Sequence, residues 1–283
     1  MNIKANAKIN VSLKVKGLLE NGYHDLEMVN LPIELHDSIE VQLLPVKTGD
    51  TFITCNDLRI NPGRANLCHK AVEALRNVFK FDACFRINIY KEIPFSAGLG
   101  GGSSDAASTL LAVRKLLKLS VDDEKLKKIG LSVGSDVPFF LTNKPCVVTG
   151  IGENIETFDL KKSYHCLIVK PEKGLSTKEV YEASNGLQKY NINTPLVVEG
   201  LQKGDMGLIA KNFGNDLMPA ALKLCPEVGE VYSWLRNRGF DVAGMSGSGS
   251  SLFALTADHK KAKDAYHALE KTAYTVILTK TMC

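Results

Sequence analysis

Apolar and polar positions alternate from the start of the chain. Ala5, Ala7, Ile9, Val11, Leu13 and Val15 fall on one face of an extended segment, with Lys8, Asn10, Ser12, Lys14 and Lys16 on the other. The pattern predicts an amphipathic strand. Glu20-Asn21-Gly22 reads as a turn, and the alternation resumes at Ile39–Leu43. From Asn66 to Phe79 the period lengthens, with Leu67, Ala71, Ala74, Leu75 and Val78 at helical spacing. Phe85, Ile87 and Ile89 alternate again and run into a glycine-rich stretch. Beyond it, Ala106, Ala107, Leu110, Leu111, Val113 and Leu117 form a helical stripe, and Asp122 to Val133 predicts a shorter helix.

The composition thins between Gly152 and Ser163, which places a domain boundary near residue 158: residues 1–158 and 159–283. The second half gives a strand at Cys166–Val169, helices around Lys178–Ser184 and Pro226–Arg238, and then a Gly/Ser loop. A strand at Ser251–Leu255, a helix at His259–Lys271 and a final strand at Tyr274–Thr279 complete it. Strands and helices mix without a strict βαβ alternation, so the fold class expected is α+β.

Charge changes this picture little. The 283 residues carry 35 basic and 31 acidic side chains, a net charge of +4 spread over the whole length, which does not make the concentrated basic face that nucleic acid requires. The seven cysteines show no Cys-x-x-Cys pair, as expected of reduced thiols without structural zinc. No apolar run reaches the roughly 20 residues that span a bilayer. The first residues lack the apolar core of a signal peptide. The expectation is a cytoplasmic protein with neither membrane nor nucleic acid as partner.

The chemistry concentrates in the run Pro94-Phe95-Ser96-Ala97-Gly98-Leu99-Gly100-Gly101-Gly102-Ser103-Ser104. Glycines there let the backbone approach a phosphate and take positive φ, so that successive N–H groups converge. A helix start, capped by Ser103 or Ser104, adds free N–H groups and the positive end of its dipole. ATP fits that description. The Walker pattern fails, since Gly102 is followed by Ser103 rather than lysine, and the dinucleotide fingerprint fails at Ser103 where it needs glycine.

Four other segments each have a plain alternative. Asp136, in Gly134-Ser-Asp-Val-Pro-Phe-Phe140, suits a base or a magnesium ligand, or equally a helix N-cap. Lys8 can neutralise phosphate charge, or be one more solvated lysine on a polar strand face. Tyr23 and His24 can stack on and hydrogen-bond a base, or simply flank a turn. Met245–Ser251 is a second anion-cradling nest or a Gly/Ser turn between strands.

Together and in this order, the segments resemble the GHMP kinase superfamily of small-molecule kinases. The matching motifs are Ala7-Lys-Ile-Asn10, Asn21-Gly-Tyr-His-Asp-Leu26, Gly98–Ala107, Gly134–Phe140, Gly150-Ile-Gly-Glu153, Asn215-Asp-Leu217 and Met245–Ser251, from the first strand to near the end. Asn6 and Leu18 depart from the usual proline and arginine. The resemblance implies an amino domain with a left-handed βαβ unit and a ferredoxin-like carboxy domain. It implies that Pro94 to Ser104 wrap the ATP phosphates, that Lys8 and Asp136 are the catalytic pair, and that Mg2+ takes part, with Ser104 a candidate ligand. The Ala-Lys-Ile-Asn and Gly-Tyr-His segments point to a branch whose acceptor is a cytidine-diphosphate-linked methylerythritol. There Tyr23, His24 and Tyr181 would meet the cytosine, with Asn10 nearby. Another GHMP kinase with a different acceptor, or a nucleotide-binding regulator without catalysis, are the alternatives.

Overall fold

The computed structural model describes residues 1–20 and 22–283, so Asn21 of the predicted turn lies outside the described residues. Two compact units make up the chain. The first takes Met1–Ala7, Leu35–Ile93 and Gly100–Asn143; the second takes Lys8–Glu34, Pro94–Leu99 and Lys144–Cys283. Two long strands, β1 (Asn2–Leu18) and β2 (His24–Leu44), contribute residues to both.

In the first unit, β3 (Thr51–Cys55), α1 (Leu67–Phe79) and β4 (Cys84–Tyr90) form a βαβ unit, with β3 and β4 parallel. On β4, Phe85, Ile87 and Ile89 are buried while Arg86 and Tyr90 are exposed, so the strand presents one apolar face. The segment Ser38–Leu44 of β2 pairs antiparallel with β4. Asn66 caps α1 as its position predicts, accepting a hydrogen bond from the Cys68 N–H at 2.9 Å. Three further helices, α2 (Gly101–Leu116), α3 (Asp123–Val133) and α4 (Val137–Thr142), pack on one another, and α2 and α3 pack on α1. Leu75, Leu110, Val113 and Phe139 form their shared core.

In the second unit, Leu26–Asn30 of β2 pairs antiparallel with β5 (Cys146–Gly150), which pairs with β6 (Asn154–Thr157). The stretch where the composition thins therefore still holds a hairpin. After β7 (His165–Lys170) come five helices: α5 (Thr177–Ser184), α6 (Thr194–Lys203), α7 (Met206–Asn212), α8 (Met218–Leu224) and α9 (Glu227–Asn237). β8 (Val242–Met245), β9 (Leu252–Thr256), α10 (His259–Leu269) and β10 (Thr275–Lys280) follow. The sheet runs β10-β7-β9-β8 and is antiparallel throughout, the strand order of a ferredoxin-like unit. The α+β class is as expected. Among the described residues no helix is long and apolar enough to cross a membrane.

Candidate functional site

The middle of the polar face of β1 is not solvated. Lys8 is 4% exposed and Asn10 1%, which removes the plain reading of Lys8 as a surface lysine. The Lys8 ammonium donates to the Asn10 side-chain carbonyl, and the Asn10 amide donates to Asn30 Oδ1 at 2.6 Å. Burying an ammonium costs several kcal/mol unless it is well partnered. The asparagine ladder supplies one such partner.

Backbone joins this strand to both glycine-rich loops of the second unit. The Lys8 N–H donates to Leu99 O at 3.0 Å. Ser246 Oγ accepts from the Asn10 N–H at 3.2 Å and donates to Gly98 O at 2.9 Å. Gly98 has φ +71°, and a Cβ there would lie 2.1 Å from Ser246 O. A Cβ on Gly247 would lie 3.0 Å from Gly98 O. These two glycines are therefore required by close backbone approach as much as by φ. Asn215 Nδ2 donates to Met245 O and Gly247 O, each at 2.8 Å, and Asp216 Oδ2 accepts from the Val15 N–H at 2.8 Å. The Asn-Asp-Leu motif thus clamps the second loop and the end of β1.

Pro94–Leu99 belongs to this unit, with Phe95 and Ser96 exposed and Ser96 at φ +52°. The remainder of the run begins the helix of the first unit. Gly100 (φ +75°) is the N-cap of α2, which starts at Gly101. Neither Ser103 nor Ser104 is the cap, contrary to the sequence expectation. With glycine in a left-handed cap, the helix can start three residues earlier, so that Gly101 to Ser103 present first-turn N–H groups. Ser104 is buried within that turn.

His24 and Tyr181 come together although 157 positions apart: their rings stack with centroids 4.5 Å apart and planes inclined 28°. Tyr181 lies on α5, whose buried Val180 anchors it. Burial and the Lys189 ammonium hold the His24 imidazole below its usual range, in the neutral form that can both donate and accept. Tyr23 is 56% exposed.

In the first unit, Asp136 occupies the N-cap position of α4, yet its side chain makes no capping hydrogen bond. The plain reading of a capping aspartate is therefore incomplete. The same unit holds a group that the sequence did not single out. Lys91 Nζ bridges Asp37 and Asp105, the latter at 2.8 Å, with all three side chains at most 6% exposed. Asp37 Oδ1 also accepts from the Glu92 and Ile93 N–H groups at 2.7 and 2.8 Å. Burial opposes the Lys91 charge, but Asp105 and Asp37 outweigh it and hold the ammonium above its usual range. Burial raises Asp105, whose Oδ1 has no hydrogen-bond partner. A Cβ on Gly101 would lie 3.1 Å from Lys91 Nζ, so the ammonium sits directly under the helix start. The available signal was a charged residue at each end of an apolar alternation, Asp37 before Ile39 and Lys91 after Ile89.

Comparison with known proteins identifies the family. The family model for the GHMP kinase N-terminal domain matches residues 66–144 and that for the C-terminal domain residues 197–275. The chain is similar to 4-diphosphocytidyl-2-C-methyl-D-erythritol kinases of Pelotomaculum thermopropionicum, 37% identical over 98% of this chain and 96% of that one, and of Clostridium novyi, 37% identical over the whole of both. Among solved structures, a 4-(cytidine 5'-diphospho)-2C-methyl-D-erythritol kinase superposes with TM-score 0.83 at 30% identity over the full length of both chains. A homoserine kinase from Cytophaga hutchinsonii shares the fold, with TM-score 0.78 at 18% identity over 100% of this chain and 94% of that one.

Proposed function

The chain belongs to the 4-diphosphocytidyl-2-C-methyl-D-erythritol kinase family of GHMP kinases, and from that membership we propose how its own residues carry out the reaction. The acceptor is 4-diphosphocytidyl-2-C-methyl-D-erythritol, and ATP phosphorylates its 2-hydroxyl, a step of the non-mevalonate route to isopentenyl diphosphate. The observation that carries the choice of acceptor is the stacked His24–Tyr181 pair, a platform for a planar base that an acceptor without a base would not need. Tyr23 covers the exposed side of that base, and Asn10 orients the acceptor beside Lys8.

Phosphoryl transfer leaves a protein little covalent work, so positioning and charge stabilisation dominate. Pro94, Phe95, Ser96, Ala97, Gly98, Leu99, Gly100, Gly101, Gly102, Ser103 and Ser104 hold the triphosphate through backbone N–H groups and the α2 dipole. Asp136 takes the proton of the acceptor hydroxyl; its oxygen then attacks the γ-phosphorus, and ADP leaves with the bridging electron pair. Lys8 stabilises the charge that builds on the transferring group. Mg2+ fits this donor set, because it is carried largely by phosphate oxygens and water and needs one or two hard protein oxygens. The buried Ser104 hydroxyl is the candidate, and the cation would neutralise phosphate charge. A boundary near residue 158 lies between the two matched domain models. Seven free thiols suit the reducing cytoplasm.

Turnover of magnesium-ATP with the cytidine-linked acceptor tests the reading. Phosphorylation of that acceptor is expected, and ATP consumption that requires mevalonate or homoserine instead would overturn it.

A further inference from the structure

Behind β1 the second unit holds a cavity of about 230 Å³ that the reaction does not use. Val11 lines it, and Val11 lies on the strand face opposite Lys8 and Asn10. At about 30 Å³ per water the space matches roughly seven waters, enough for a single ring with a small substituent. Its floor is Ala243, Gly244 and Met245 of β8, all buried. Its walls are aromatic: Tyr190, Phe213 and Tyr232. A Cβ on Gly244 would lie 3.2 Å from the Phe213 ring, so that wall is packed in place.

One charged side chain reaches the cavity. Arg236 Nη1 is held by Phe240 O at 3.0 Å and by Asp241 O, which fixes the guanidinium while leaving Nη2 and Nε to a ligand. The Tyr190 and Tyr232 hydroxyls have no hydrogen-bond partner among the described residues. The donors, the apolar floor and the aromatic walls select an aromatic or short apolar body with a phosphate or carboxylate head.

The lining also reaches the loops described above. Asn215 and Met245 both line the cavity, and Asn215 is the residue that holds Met245 O and Gly247 O. Ser246, between them, holds Gly98 O and the Asn10 N–H. We propose that this cavity is a second, regulatory site for a small aryl or alkyl phosphate or carboxylate, whose occupancy is transmitted through Asn215 and the 245–247 segment to Gly98 of the ATP loop. The coupling is read in ATP alone and so is independent of which acceptor the enzyme uses.

Phenyl phosphate is the probe, titrated into the full chain at saturating magnesium-ATP so that phosphate loops are occupied. Expected is saturable binding, weakened about tenfold or more by Ala210→Leu, since Ala210 lines the cavity and a leucine there fills it, and by Arg236→Gln, which removes the charge. Benzyl alcohol, lacking the anion, should bind correspondingly less. Occupancy should shift the Kd for ATP, read by nucleotide titration without acceptor, by about fivefold, the lower end of ordinary coupling. Absence of saturable binding, equal binding to a folded Ala210→Leu variant, or binding that leaves the Kd for ATP unchanged would each overturn the proposal.

Discussion

Asp136 sits where a capping aspartate belongs and does not cap, and Lys8 sits on a polar strand face and is buried. Both are positions where local sequence favours a bland role and the fold withholds it. Asp136→Asn keeps the shape and removes the base, so kcat should fall by about 10²–10⁴-fold with ATP affinity nearly unchanged; steady-state kinetics beside nucleotide titration check it. For the base platform, Tyr181→Ala should raise the acceptor KM about tenfold, on the order of the 1–3 kcal/mol of a lost stack. Tyr181→Phe keeps the ring and should be nearly silent, and in neither variant should the KM for ATP move. The Lys8–Asn10–Asn30 ladder was half legible: alternation put Lys8 and Asn10 on one face, but Asn30 comes from β2 and no local pattern pairs it with them.

At the scale of elements, the glycine run shows what spacing can and cannot convey. Its position at a strand–helix junction was legible, whereas the start of α2 was not, because Gly100 in a left-handed cap replaces the serine cap that propensity favours. The individual glycines also differ in what they do. Gly101 opens the helix and is restricted by Ile93 and Lys91, so Gly101→Val should weaken ATP binding by displacing the helix start. Gly98 is restricted by backbone. With its Cβ 2.1 Å from Ser246 O, Gly98→Ala should disrupt the loop and lower ATP affinity more than Gly102→Ala, whose Cβ meets only Leu67 at 3.6 Å; nucleotide titration of the three variants gives the ranking. Beneath the helix, Lys91→Met would leave Asp37 and Asp105 buried without their cation. A loss of about 3–5 kcal/mol is expected in denaturant unfolding, and a loss under 1 kcal/mol would mean that the ammonium is not the partner of both.

Across the whole molecule, most long periodic segments were legible, the ten-residue α6 excepted, and several short ones were not. α1, α9, α10 and β7 were legible because each keeps one period for long enough to bury a face or a full apolar run. α4, α7, α8 and β6 have four to seven residues, too few for a period to register. β2 was underestimated: Ile39–Leu43 alternates cleanly, while Met28–Ile33 is a continuously buried run broken in sequence by Asn30 and Pro32, and Leu26–Asn30 is held in the strand by pairing with β5. The site residues come from segments scattered along the chain, and motif order, more than any single motif, made them legible. This chain phosphorylates a nucleotide-linked alcohol. The most direct test is kcat/KM for 4-diphosphocytidyl-2-C-methyl-D-erythritol, mevalonate and homoserine, measured side by side with magnesium-ATP. A preference of about 10³-fold or more for the first is expected, since a site built to hydrogen-bond and stack a base discriminates strongly against acceptors that lack one. Comparable or better turnover of mevalonate or homoserine would contradict it.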